Sequence, residues 1–440
     1  MSVAPRKIGP VLATFIIANN MIGSGFFLLP ATLAQSGSIT ALSWIVATAF
    51  ALLLGGAFAT LARGYQTLEC PDDYVRPALG RDLGFLATTL YWLSSWIGNN
   101  AIAVAAFGYL AVLLPISAAS PTMQVVGQVV LIWLMFALNL LGPRHIARFQ
   151  SYCVVLGLAP VAMVLAGGWT HFDPATFSAG WNVTDKSDAA VLFGTLGPIF
   201  WAFMGFETGA MIAGLVRDPD RNVPRATIAG VLIAGAVYLL SSVLTMGIVP
   251  AADLAASSAP FALVAGKIFG AWAIPIIAAA AALKATGTLG GWMFVSGETG
   301  AQAARRGFLP AFFGRTARNG VAAHGLAFVT LSMSAIAFLT MSPTVAGQFG
   351  TIINMVVLLV VLAYAAAALS LIVGTPAVPS GWRERMIGGG ALLACGLLIF
   401  SSPWDLIVGS VLVALLAWGL FRWLGGGALR WLTPRPSSPG

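Results

Sequence analysis

The sequence predicts an all-α integral membrane protein of twelve transmembrane helices, and three observations carry that prediction. Of the 440 residues, 59% are hydrophobic and only 8% are charged, which lies outside the range of ordinary soluble domains. Apolar stretches near or above the roughly 20 residues that cross a bilayer as a helix recur from end to end. Alternating ten-residue strands do not occur, so the spans are read as helices and not as a barrel.

The expected spans are 8–33, 40–62, 83–114, 124–142, 149–169, 188–215, 226–249, 271–304, 323–341, 346–373, 387–401 and 404–422. The first run follows Arg6 and Lys7 and continues to Leu33. It is too long for a signal-peptide core and lacks a small-residue cleavage site, so it is read as a retained helix. With the N-terminus inside, the inner segments hold Arg6, Lys7, Arg63, Arg76, Arg81, Arg144, Arg148, Arg217, Arg221, Arg225, Arg305, Arg306, Arg315, Arg318, Arg383, Arg385, Arg422, Arg430 and Arg435. Only Lys186 and Lys267 fall outside, and Lys284 falls within the eighth span. That asymmetry puts both termini in the cytoplasm, and it supports the helix count, because one missed span would invert every later loop. The net charge of +8 is therefore a matter of topology and not a nucleic-acid patch. Cys70, Cys153 and Cys395 have neither an even count nor metal-ligand spacing.

Two spans are interrupted. The first carries Gly23-Ser24-Gly25 in "MIGSGFFLLP", and the sixth carries Gly205 and Gly209 around Glu207 and Thr208 in "FWAFMGFETGA". Glycine disfavours a helix interior by about 1 kcal/mol relative to alanine, and small residues also serve close helix packing. Packing alone does not ask for Glu207. Interruptions at matching places in two five-helix halves point to an inverted-repeat transporter whose binding site lies between the broken helices at mid-membrane. The halves are 8–170 and 187–373, followed by helices 11 and 12 over 386–423 and a cytoplasmic tail over 424–440.

Glu207 lies ten residues from Arg217, about 15 Å along a helix, so its carboxylate needs a local partner or a proton. It is either a proton- or substrate-sensitive element or a structural acceptor for backbone freed by the break. Lys284 lies 17 residues after Lys267 and 14 before Glu298, beyond the reach of snorkelling, and should face the interior. It is either a built-in cation that releases a proton during transport or an ammonium paired with Glu207 or with helix-end carbonyls. Thr288 and Gly291 share its helical stripe, with Trp292 close by. Trp201 and Trp292 sit at mid-depth, away from the interfacial belts, where a flat ring packs a core or covers a substrate.

Four stretches in order, "ANNMIGSGFFLLP" at 18–30, "LYWLSSWIGN" at 90–99, "FWAFMGFETGAMIAGLVRDPDRNVPRATIAGVLIA" at 200–234 and "GTLGGW" at 287–292, make the chain resemble the amino acid, polyamine and organocation transporter superfamily. Within it, the chain is most similar to the basic amino acid/polyamine antiporters, above all the bacterial arginine/agmatine antiporters. The resemblance covers nearly the whole chain. It implies a leucine-transporter-like 5+5 inverted repeat plus two helices, working by alternating access in the bacterial inner membrane, often as a homodimer. It implies that the amides of Ile22, Gly23, Ser24 and Gly25 hold the substrate carboxylate, favoured by the half-helix dipole, and that carbonyls of Trp201, Ala202 and Met204 accept its α-ammonium. By the same resemblance Trp201 closes over bound substrate, Glu207 couples, Trp292 forms an inner barrier, Asn99 lies near the substrate side chain, and Tyr91 and Tyr364 are gate tyrosines. Ser94 and Ser95 take places held by smaller or less polar groups, and Val356 stands where a guanidinium-reading serine is usual. Lys284 replaces a glycine, and "ECPDDYVRPALG" at 69–80 lacks the usual glycine pair.

The function expected is secondary transport of amino acids or related amines by exchange, the partners being a small-molecule substrate and the lipid bilayer. Proton-coupled uptake of a neutral amino acid through Lys284 is the alternative within transport, and a substrate sensor without flux is the alternative outside it. A membrane enzyme would need clustered acids, bases or metal ligands, but His145, His171 and His324 are scattered over helix ends and loops. No cofactor, metal or nucleic acid is expected.

Overall fold

The computed structural model describes residues 7–65, 70–114, 120–157, 159–317 and 319–425. Arg6, Arg318, Arg430, Arg435 and the tail from 426 onward lie outside the described residues. Among the described residues the regular structure is helical, and the one extended pairing is an isolated parallel bridge between Ile8 and Val216.

The first half comprises α1 (Pro10–Met21), a 3-10 turn at Ser24–Phe27, α2 (Leu29–Ala34), α3 (Thr40–Leu61), α4 (Asp72–Leu79), α5 (Arg81–Leu113), α6 (Pro121–Leu140), α7 (Pro143–Gly157) and α8 (Ala159–Gly167). After the short α9 (Pro174–Ala179) come α10 (Asp188–Gly194), α11 (Leu196–Trp201), α12 (Thr208–Met211), α13 (Pro219–Ile248), α14 (Ala251–Ala256), α15 (Pro260–Phe269), α16 (Ala273–Arg305), α17 (Ala323–Leu339) and α18 (Val345–Val373). The chain closes with α19 (Trp382–Phe400) and α20 (Trp404–Gly425). Among the described residues seven helices are long and apolar enough to cross a membrane: α3, α5, α6, α13, α16, α18 and α20. Shorter apolar helices include α1, α15, α17 and the α10–α11 pair.

Helix starts follow local chemistry. Ser120 accepts from the Met123 amide at 3.3 Å ahead of Pro121, and Thr344 accepts from the Gly347 amide at 3.1 Å, which satisfies amides that have no partner in a first turn. Two helices begin earlier than hydropathy suggests, α7 at Pro143 rather than 149 and α13 at Pro219 rather than 226. Their leading turns are polar, so they are helical without being apolar.

Of these seven helices α5 is the most buried, with 83% of its apolar window inside the protein, whereas α20 has 11% and lies at the periphery. Close approach to α5 and between α7 and α16 depends on small residues. A Cβ on Gly157 would meet the Lys284 Cβ at 2.0 Å, and one on Gly287 would meet the Cys153 Cβ at 2.4 Å. This is the small-residue packing by which membrane helices approach, and it holds α16 against α7 on the flank of the central cavity.

Candidate substrate site between the interrupted helices

The break after α1 is a specific turn. Ile22 has φ −71° and ψ 63°, an inverse γ-turn in which the Gly23 amide donates to the Met21 carbonyl at 2.6 Å. The Ile22 amide still donates to the Ala18 carbonyl at 2.8 Å. Two of the four amides expected to meet a substrate carboxylate, those of Ile22 and Gly23, are therefore engaged within the chain in this conformation. Ser24 and Gly25 continue as the 3-10 turn.

The second break runs between α11 and α12. Gly205 has φ +115°, and a Cβ there would lie 3.0 Å from Asn20 Nδ2 and 3.2 Å from the Asn20 carbonyl oxygen, so both the backbone shape and the approach to α1 require glycine. Glu207 is buried and holds the turn together. Its Oε2 accepts from the Gly205 amide at 2.9 Å and its Oε1 from the Tyr91 hydroxyl at 3.1 Å. Asn20 Nδ2 donates to Thr208 Oγ1 and links the two breaks directly.

A cavity of about 50 Å³ lies where the breaks meet α5 and α16. The expected residues Gly23, Ser94, Asn99, Trp201, Ala202, Met204 and Trp292 are all in its wall. Asn20, Met21, Phe26, Ser95, Gly98, Ile102 and Thr288 complete it; of these, Thr288 was singled out by its place on the Lys284 stripe and Ser95 by its place beside Ser94, whereas the rest carry no chemical signal of their own. Small-molecule pockets run from roughly 300 Å³ upward, so the walls are drawn together here. Trp201 lies across α5, where a Cβ on Gly98 would meet its Cη2 at 2.7 Å. Val356 is fully buried behind the same glycine, 3.5 Å from that Cβ position, and is not in the wall.

Some expected partners are already engaged. The Ala202 carbonyl accepts from the Tyr238 hydroxyl at 2.9 Å, and the Trp201 carbonyl from the Met204 amide at 3.2 Å. The Ser94 hydroxyl donates to the Tyr91 carbonyl at 2.7 Å. Lys284 is buried outside the cavity wall, where its Nζ donates to Asn19 Oδ1 at 3.4 Å. Among the described residues no ion pair joins Lys284 to Glu207 or to another carboxylate, while Glu207 takes its bonds from Tyr91 and Gly205.

Glu207 and Tyr91 line a second, smaller chamber with Phe58, Cys70, Pro71 and Tyr74. Tyr364 packs on its margin, against Phe58 and Phe206 at ring-centroid distances of 5.1 and 5.2 Å. One end of the chamber is closed by the segment leading into α4. Arg306 fixes that helix, its Nη1 lying 2.6 Å from Asp73 Oδ1 and 3.3 Å from Asp72 Oδ2. Burial works against the Arg306 charge, but the bond to Asp73 and the neighbouring acidic groups hold its pKa above the ordinary value. Burial first, then the Asp73 carboxylate, pushes the Cys70 thiol up to about 11, against the opposing pull of Arg306.

The chain matches the amino acid permease family over residues 8–421. It is 35% identical over 375 residues to the cadaverine/lysine antiporter of Escherichia coli (strain K12), covering 83% of each chain. It is 28% identical over 421 residues to the putrescine transporter PotE of the same organism, covering 94% of this chain and 95% of the relative. The putrescine transporter PotE of Haemophilus influenzae is likewise 28% identical, over 426 residues, with 96% and 98% covered.

Proposed function

Because the chain belongs to the amino acid permease family and, within its superfamily, to the basic amino acid/polyamine antiporters, we propose that it is a secondary transporter exchanging an amino acid for a related amino acid or amine by alternating access. The observation that carries this reading is the meeting of two interrupted helices, tied by Asn20 and Thr208, at one cavity walled by Trp201, Asn99 and Trp292. Irregular backbone at membrane depth is tolerated where it lines such a cavity, and half-helix ends suit ionic groups there. Among relatives, the names cadaverine/lysine antiporter and putrescine transporter support a cationic amine or basic amino acid as one of the exchanged substrates.

In this reading the twelve spans form two inverted five-helix repeats, 8–170 and 187–373, with helices 11 and 12 after them. The basic residues expected inside support the topology by converging locally. Arg63, Arg221 and Arg225 line one cleft, Arg422 pairs with Asp82 at 3.0 Å, and Arg81 lies over Phe421. The substrate carboxylate docks on the Ser24 and Gly25 amides, since those of Ile22 and Gly23 carry intrachain bonds, and the α-ammonium docks on the Met204 side of the second break. Trp201 covers the substrate, Trp292 bars the inner path, and the Glu207–Tyr91–Tyr364 group couples site to gate.

Proteoliposome uptake with and without internal lysine, cadaverine or putrescine, each with and without a pH gradient, tests the proposal. Uptake should depend on internal substrate. Uptake of a neutral amino acid into empty vesicles driven by protons alone would instead support the second reading, in which Lys284, buried and with no carboxylate partner among the described residues, carries the proton. Lys284→Ala then shifts the pH profile of transport, and an unchanged profile with transport preserved removes that reading. Substrate binding with no flux under any condition would make the protein a sensor.

A further inference from the structure

We propose that Ser296 is a positioning residue that sets substrate specificity. Its hydroxyl fixes the Asn99 amide so that the cavity wall offers a carbonyl oxygen, and not an NH2, to the far end of the substrate. The consequence is selection of a chain that ends in an ammonium. This rests on the transport reading above for its site and goes beyond it in assigning the selecting group.

The argument is one of hydrogen-bond supply. Ser296, on α16, is fully buried and faces Ser95 and Asn99, which lie four residues apart on α5. A serine hydroxyl has one hydrogen to give and can accept two. The Ser296 hydrogen goes to the Trp292 carbonyl at 2.9 Å or to Ser95 Oγ at 3.1 Å, and the Ser95 hydrogen to the Trp92 carbonyl at 2.8 Å or to Ser296 Oγ; in every arrangement the Ser296 hydrogen is spent away from Asn99. Ser296 Oγ is left as an acceptor. It lies 3.2 Å from Asn99 Nδ2, and only the NH2 edge of the amide satisfies it. The Asn99 oxygen is consequently the free edge; it is buried and has no partner, in a residue of the cavity wall.

The register that makes this work is held independently. Trp92 Nε1 donates to the Ser296 carbonyl at 3.1 Å, and its ring lies where a Cβ on Gly300 would come within 2.9 Å of that nitrogen. The α5–α16 spacing is therefore held on the Trp92 side of the Ser296–Asn99 contact. A buried carbonyl oxygen without a donor is costly to leave unpaired, and an ammonium satisfies it. A substrate ending in a methyl group does not, and one ending in a carboxylate is repelled. Lys284 is not among the residues of the wall.

The test uses the full-length protein, purified for binding and reconstituted for exchange, with lysine and norleucine, which share a chain and differ in the terminal ammonium. The wild type should prefer lysine in both measurements. Ser296→Ala should reduce the lysine-to-norleucine preference by roughly tenfold, through lysine KM with little change in kcat, and Ser296→Thr, which keeps the hydroxyl, should retain it. Equal losses for the two amino acids, or an unchanged preference in Ser296→Ala, would overturn the assignment. Should Ser296→Ala not fold, Asn99→Leu removes the same oxygen and must abolish the preference; a preference that survives it overturns the assignment too. A lysine preference in binding that Ser296→Ala loses, without any exchange by the wild type, would sink the transport reading while upholding the role of Ser296.

Discussion

Replacing Gly205 by alanine tests whether the second break is a built conformation. Its φ of +115° is strained for any L residue, at about 1–3 kcal/mol. The added Cβ would also lie 3.2 Å from the Asn20 carbonyl oxygen and 3.3 Å from its carbon, atoms of α1 that no rotamer change removes. Asn20 Nδ2, at 3.0 Å, can rotate away only by giving up its bond to Thr208, a net loss of about 1 kcal/mol. The sum is about 2–4 kcal/mol, roughly a 30-fold to several-hundred-fold loss of the conformation that forms the site. Lysine affinity by calorimetry on protein in nanodiscs, with apparent thermal stability measured in parallel, reads this out. Gly194→Ala is the control, since nothing lies within 4 Å of the position of its Cβ, and it should change stability by less than about 0.5 kcal/mol. Wild-type affinity and stability in Gly205→Ala would refute the reasoning.

Gly98→Ala should push the far edge of the Trp201 indole off α5, because the new Cβ would come within 2.7 Å of Cη2; we expect a roughly tenfold weaker Kd with folding preserved, and a parallel collapse of Tm would contradict this. The Arg306–Asp73 pair, whose side chains are 25% and 20% exposed, should show a coupling of about 1 kcal/mol in a double-mutant cycle after allowance for screening, and additive effects of Arg306→Gln and Asp73→Asn would argue against a latch on α4. The Cys70 thiol, pushed up to about 11 from 9.0, favours its neutral form in the folded state. Its contribution to stability is therefore complete below about pH 9 and is lost as pH rises through 11. Maleimide labelling should stay slow at pH 8 and accelerate in Arg306→Gln as α4 loosens; rapid labelling of the resting wild type would exclude the closed chamber.

Hydropathy located the helices because burial in lipid constrains every residue of a span, and glycines beside Glu207 marked the break because packing gives no reason for a carboxylate. Polar helical turns escape that signal, which is why α7 and α13 start earlier than expected and α4 falls between the expected spans 40–62 and 83–114. The resemblance names Trp201, Asn99 and Trp292, which share one cavity wall, and four amides, of which those of Ile22 and Gly23 carry bonds within the chain in this conformation. The Ala202 carbonyl, expected to accept from the α-ammonium, already accepts one bond from Tyr238. Neither engagement is visible along the chain, since each depends on a turn angle or on a tyrosine 36 residues away. Gly98 and Ser296 carry no chemistry in the sequence; only the rings and amides packed against them give them meaning.

The bridge between Ile8 and Val216 has a mechanical consequence. Ile8 donates to the Leu215 carbonyl at 2.8 Å and accepts from the Arg217 amide at 2.9 Å, while Asn20 holds Thr208 at the other end. The two half-helices are thus clamped at both extremities into a single lever. Separating them means breaking two backbone hydrogen bonds and an amide–hydroxyl link, so a pull on one half-helix is passed to the other.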